Sequence, residues 1–177
     1  ILSGGWTFGL RDALPSATIR NLSIGASPGM QFAAELAGSL AEHDVVFFDS
    51  VVNDEHLAQD IGDIHYNNRI IYEIVSSLSA RCRTVVMGFT KSKFLVAPSE
   101  QFRLRKDMAG TAGAQFIDVR ELVLQFGQTI LRDDRRLYEH IGHPQREIAY
   151  AIGHELGLSL MDDPQHRPAV TDYAHNF

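Results

Sequence analysis

Short apolar runs alternate with longer segments of helical periodicity along this chain. The apolar runs have the composition of buried strands, and they cover residues 1–2, 18–22, 44–49, 83–89 and 115–119. The helical segments cover residues 8–14, 29–42, 67–80, 98–110, 119–126 and 144–158. This order predicts an α/β fold, namely a three-layer sandwich around a five-stranded, parallel, flavodoxin-like sheet.

Local residue choices agree with these boundaries. Pro144 stands at the start of the last predicted helix, where its missing N–H group costs little. Asp118 and Glu121 have the spacing of a capping box, so we interpret Asp118 as a helix cap rather than a catalyst. After Met161 the sequence is polar and has no periodicity. We therefore predict one domain at 1–161 and a C-terminal extension at 162–177.

Composition narrows the possible partners. The 177 residues suit one domain, and their net charge of −6 disfavours nucleic acid or an anionic membrane, because phosphate contacts need a basic face. The basic clusters at 103–106 and 132–136 have acidic neighbours, so we interpret both as solvated surface. The single cysteine, Cys82, excludes an intrachain disulfide.

The sequence shows neither a signal peptide nor an apolar run long enough to span a bilayer. We therefore expect no membrane partner, and the sequence favours a cytoplasmic location without determining the compartment. The chain begins at Ile1 inside a predicted strand, which indicates a domain processed or excised from a larger protein. No pattern in the sequence indicates an oligomeric state.

Polar and glycine-rich segments follow the first three predicted strands, at the sheet edge where ligands bind in such folds. These segments are residues 3–9, 21–27 and 51–54, and a fourth segment at 140–144 precedes the last helix. The first ends in Thr-x-Gly, the third carries Asn53-Asp54, and the fourth carries His143-Pro144. In this order the segments resemble the sequence blocks of the SGNH (GDSL-like) hydrolase family over nearly the whole chain.

The resemblance implies ester hydrolysis or acyl transfer on acyl groups of carbohydrates, lipids or small alcohols. By position, Asn53 would donate to the oxyanion, and His143 would be the general base. The backbone N–H group of Ala26, or of Gly25, would be the second oxyanion donor. Asn53 and Asp54 also fit a structural role, since both residue types commonly cap and turn the chain after a strand.

The departures from the family pattern concern the catalytic groups themselves. Gly5 stands where the family has its nucleophilic serine, and His140 stands where it has the aspartate that orients the histidine. In the first block, Gly4 also replaces the aspartate and Ser3 the leading glycine. Hydroxyl groups that could substitute for the missing serine are those of Ser3, Thr7, Ser23 and Ser50, while Glu139 or Asp134 could substitute for the missing acid.

Two further features bear on the binding of ligands. Trp6 follows the two glycines and would either form a flat wall for a sugar ring or fill the space above them. His140 and His143 would share a helical face, but Gly142 and Pro144 disfavour a helix there, so we predict no metal site. We also predict no cofactor, because no phosphate-binding glycine motif is present.

The sequence thus supports two hypotheses from different classes. The first is an esterase or acyltransferase of the SGNH type, with catalysis impaired by the loss of the serine. The second is a binding module on the same fold, which holds a carbohydrate, an acyl group or a partner protein. Gly5 favours the second hypothesis, whereas the retained Asn53 and His143 favour the first.

Overall fold

A computed structural model describes residues 5–22, 28–31, 45–58, 62–130 and 137–161. Its α-helices are α1 (Gly5–Ala13), α2 (Val51–His56), α3 (Ile64–Ser79), α4 (Glu100–Thr111), α5 (Val119–Ile130) and α6 (Arg146–Met161). Its strands are β1 (Val45–Asp49), β2 (Arg83–Met87), β3 (Gln115–Ile117), β4 (Tyr138–His140) and β5 (His143–Pro144). Two short 3₁₀ turns lie at Gly29–Gln31 and Ser92–Phe94.

The strands form two separate sheets. β1, β2 and β3 are parallel and lie in that order, with Val45 opposite Arg83 and Val85 opposite Gln115. β4 and β5 are antiparallel and form a small hairpin immediately before α6. Because parallel strands end at one edge, the segments that follow β1, β2 and β3 meet there.

Mixed α/β character is confirmed, but the prediction of a five-stranded flavodoxin-like sheet is wrong for the described part of the chain. Residues 18–22 form no strand, and residues 1–2 lie outside the described ranges. Ala17 and Ile19 nevertheless pack, partly buried, against the core. The alternating apolar residues near position 18 therefore pack one side of this segment against the core, and the segment does not pair in a sheet.

Helices cover both faces of the parallel sheet, which gives three layers. Val85 and Met87 of β2 belong to one buried cluster, together with side chains of α1, α5 and α6. Phe48 of β1 and Val86 of β2 belong to a second cluster, together with side chains of α3 and α4. Alternate residues of a strand point to opposite faces, so each face supplies one of the two cores.

Small residues let α1 and α6 pack with their backbones in close contact. A Cβ atom at Gly9 would overlap the carbonyl oxygen of Tyr150, and one at Gly153 would overlap the carbonyl oxygen of Trp6. Larger residues at these two positions would force the helices apart. This close packing fixes the orientation of the first turn of α1, where Gly5 and Trp6 lie.

Candidate functional site

Three segments meet at the carboxyl edge of the parallel sheet. They are α2, which follows β1 and carries Asn53, the loop after β2, and the β4–β5 hairpin. A Cβ atom at Gly142 would lie 2.8 Å from Cγ2 of Val52, so the hairpin packs against α2. The backbone N–H group of Ser92 donates to the carbonyl oxygen of Ile141 at 2.7 Å, which ties the loop to the hairpin. The fold thus brings the segments of Asn53 and His143 together.

Asn53 is the partly exposed polar residue that α2 brings to this edge. The residue is partly exposed in α2, and its backbone carbonyl accepts from the N–H group of Leu57 at 2.9 Å. Its side-chain amide has no hydrogen-bond partner within the part of the chain that the structure describes. An unpaired amide at a surface edge can donate to a carbonyl or hydroxyl oxygen of a ligand.

His143 is exposed at the start of β5, next to the ring of His140. Partial burial of its ring lowers the pKa of His143, and the neighbouring His140 lowers it further, while Glu139 opposes the shift. A lowered pKa keeps more of the imidazole neutral near neutral pH, as a general base requires. Among the described residues, no hydroxyl group hydrogen-bonds to this ring.

Glu139, the suggested substitute for the orienting acid, has another partner. Its Oε1 atom accepts from the backbone N–H group of Arg146 at 3.2 Å, at the first residue of α6. The carboxylate therefore caps the N-terminus of α6, where negative charge is favourable. Asp134, the alternative, lies outside the described residues.

Gly5 lies in the first turn of α1 and faces α6. A Cβ atom at this position would lie 2.9 Å from the Cβ atom of Ala149, closer than carbon atoms pack. The centroid of the Trp6 ring lies 5.6 Å from that of Phe47, in an edge-on arrangement, and 6.3 Å from that of Phe89. These contacts support the interpretation that Trp6 fills space. The predicted site residues Ser3, Gly4, Gly25 and Ala26 lie outside the described ranges, as does Ser23.

Asp54 is fully buried in an ion pair that the sequence did not reveal. Its Oδ2 atom lies 2.8 Å from Nη2 of Arg105, and its Oδ1 atom accepts from the backbone N–H group of Gly29 at 2.8 Å. Arg105 also donates to Oγ of Ser50 at 2.5 Å and to Oδ1 of Asn68 at 3.0 Å. Asp54 is therefore engaged within the protein, and so is the hydroxyl group of Ser50.

The interpretation of residues 103–106 as solvated surface is wrong for Arg105. Its side chain is fully buried, whereas Arg103 in the same helix is exposed. A buried guanidinium needs both a counter-charge and hydrogen-bond acceptors, and Asp54, Ser50 and Asn68 supply them. No local signal distinguishes Arg105 from its basic neighbours, because its partners lie far away in the sequence.

The sequence also did not single out two further carboxyl groups near Asp54, which are those of Glu55 and Asp49. Glu55 accepts from the hydroxyl groups of Thr90 and Ser99 and from the backbone N–H group of Lys91, although burial raises its pKa. Burial, with a smaller contribution from Asp54, raises the pKa of Asp49 to about 7. Oδ1 of Asp49 has no hydrogen-bond partner among the described residues.

Comparisons of this chain with protein-family models, with curated proteins and with solved structures give no match. No helix within the described ranges is long and apolar enough to cross a membrane. In the same part of the chain, no cluster of three or more histidine, cysteine or acidic side chains could hold a metal ion.

Proposed function

We propose that this chain is a domain of the SGNH type that binds an acylated carbohydrate at the carboxyl edge of its sheet and does not cleave it through a serine. The surroundings of Gly5 carry this proposal. The resemblance assigns this position to the nucleophile, yet a side chain here would collide with Ala149 of α6. Trp6 fills the adjacent volume with its contacts to Phe47 and Phe89.

The edge keeps polar groups that suit such a ligand. The amide of Asn53 and the imidazole of His143 lie on segments that pack together, and neither side chain is engaged with another described side chain by a hydrogen bond. Amide and imidazole groups can bind sugar hydroxyl groups and ester carbonyls. Ile141, which is 53% exposed between the two histidines, offers an apolar contact for the acyl group.

A nuclear magnetic resonance titration with partly acetylated xylo-oligosaccharides tests binding directly. We expect saturable shifts of the Asn53 side-chain amide and the His143 ring. Asn53→Ala and His143→Ala should each weaken binding about three- to tenfold, the loss of one hydrogen bond. His65→Ala is the matched control, because His65 is an exposed histidine that belongs to α3 and not to α2 or the hairpin. Equal affinity in all variants would contradict the proposal.

The second candidate is ester hydrolysis with a relocated nucleophile. The state of His143 favours it, since a lowered pKa suits a general base. Ser50 is a poor nucleophile for this role, because its hydroxyl group is buried and accepts from Arg105. Thr7 of α1, together with Ser3 and Ser23 outside the described ranges, stays as an alternative.

Turnover of p-nitrophenyl acetate separates the two candidates. We expect no rate above buffer for the wild type, and no gain of rate in Gly5→Ser. This variant should also lose about 1–3 kcal/mol of unfolding free energy, because the added side chain overpacks the contact with α6. A wild-type rate that disappears in His143→Ala would overturn the binding proposal and support hydrolysis.

A further inference from the structure

The β4–β5 hairpin places two histidines side by side. His140 and His143 are directly opposite each other in the antiparallel pair, joined by a turn at Ile141 and Gly142. Side chains of directly opposed residues lie on the same face of an antiparallel pair. Gly142 and Pro144 disfavour only a helix at these residues, and the hairpin brings the two rings together in another way.

The two rings have a spacing that suits one metal ion. Their centroids are 5.8 Å apart, and the ring planes are tilted by 33°. An ion with bonds of about 2 Å to two imidazole nitrogens at a tetrahedral angle holds these nitrogens roughly 3.3 Å apart. Ring nitrogens lie on the perimeter of each ring, so centroids at the observed distance allow this separation with small side-chain rotations.

Both rings are accessible to an ion from solvent. His140 and His143 are exposed, and neither ring hydrogen-bonds to a described side chain. The carboxylate of Glu139 lies close enough to interact electrostatically with His143, so it partly offsets the charge of a cation.

We propose that His140 and His143 chelate one divalent transition-metal ion of the zinc, copper or nickel class, with water completing its coordination. Imidazole suits these ions, whereas calcium and magnesium prefer oxygen ligands. Two protein ligands leave positions open to solvent or to a ligand at the same edge. The site does not depend on the proposed carbohydrate binding, because the ion alone is sufficient to test it.

Calorimetric titration of the untagged chain with zinc chloride near neutral pH measures the site. We expect one ion per chain in the wild type. His140→Ala and His143→Ala should each lower the affinity at least about tenfold, since each removes half of the protein ligands. His65→Ala should keep the wild-type affinity, because that exposed histidine belongs to α3. Copper(II) paramagnetic resonance should show two coordinated nitrogens, falling to one in each hairpin variant.

Thermal unfolding provides the second readout. Zinc should raise the unfolding midpoint of the wild type, because the ion binds the folded hairpin, and should not raise that of the single hairpin variants. Both histidines are exposed, so we expect the variants to fold with unchanged midpoints in metal-free buffer. Absence of wild-type binding, or wild-type affinity in either hairpin variant, would overturn the proposal. Neither result would affect the oligosaccharide titration.

Discussion

Two polar regions lie next to each other at the carboxyl edge of the sheet. They differ in whether their side chains form hydrogen bonds with other side chains of the protein. In the buried region, Arg105 binds Asp54, Ser50 and Asn68. In the exposed region, the side chains of Asn53 and His143 have no such partners among the described residues. Asn53 and Asp54 are neighbours in one helix, yet one is partly exposed and the other is fully buried.

This difference separates structural polar groups from groups that are available to a ligand. A buried ion pair is costly to break, because removing one partner leaves an uncompensated charge in the interior. A partly exposed amide exchanges hydrogen bonds with water, so its replacement costs the fold little. Mutations in the two regions should therefore separate stability from binding.

The largest expected effect comes from breaking the buried ion pair. Arg105→Met should lower the free energy of unfolding by about 3–5 kcal/mol, because Asp54 then stays buried without its counter-charge. Arg103→Met is the matched control on the same helix, and its exposed side chain predicts a change within about 0.5 kcal/mol. Urea unfolding followed by circular dichroism measures both. Equal losses in the two variants would show that burial of Arg105 is not what matters.

An effect that is smaller for each unit of pH should appear in the pH dependence of stability. The pKa of Asp49 is about 7 in the folded protein, above its ordinary value of 3.8. The folded state therefore holds this proton over a pH range in which the unfolded state has lost it. The contribution of Asp49 to stability is complete below about pH 4 and falls as the pH rises towards 7, by up to about 1.4 kcal/mol per pH unit.

Asp49→Asn isolates this dependence, because an amide does not titrate. Urea unfolding at a series of pH values should show a weaker fall in stability between pH 4 and 7 in the variant than in the wild type. Asp54 and Arg105, which lie in the same buried region, are unchanged in this comparison. Identical pH profiles for the two proteins would contradict the assignment of the shift to Asp49.

The smallest effect on stability should come from the exposed region. Asn53→Ala should change the free energy of unfolding by no more than about 0.5 kcal/mol, because the amide has no partner in the described structure. The same urea experiment measures this value beside that of Arg105→Met. A loss above about 2 kcal/mol would show that the Asn53 side chain stabilises the fold as the buried side chains do. This result would contradict the difference drawn between the two regions.

Much of the secondary structure could be predicted from the sequence, because it depends on local pattern. The predicted strands at 44–49, 83–89 and 115–119 correspond to β1, β2 and β3, with ends that differ by one or two residues. Asp118 caps α5, as the spacing indicates, since its Oδ1 atom accepts from the N–H group of Arg120 at 3.1 Å. The predicted strand at 18–22 failed, because alternation does not reveal whether a neighbouring strand is available for pairing.

The site was predicted less completely, because its geometry depends on contacts between distant residues. The partners of Arg105 lie 37, 51 and 55 positions away in the sequence, so a local charge pattern indicated surface where the fold has a buried pair. The pairing of His140 with His143 required a hairpin that the glycine and proline nearby did not predict. The sequence singled out Gly5 only because the resemblance places a serine at this position, and its contact with Ala149 required α6.

The sequence by itself determined the α/β class, most helix and strand positions, the absence of an intrachain disulfide and the lack of a hydroxyl group at position 5. These features follow from composition and from periodicities of two and 3.6 residues, which local backbone geometry imposes. Tertiary structure alone decided that Asp54 is buried and Asn53 partly exposed, and that two histidines face each other. Burial and side-chain distance are set by segments far apart in the chain, and the local pattern does not encode them.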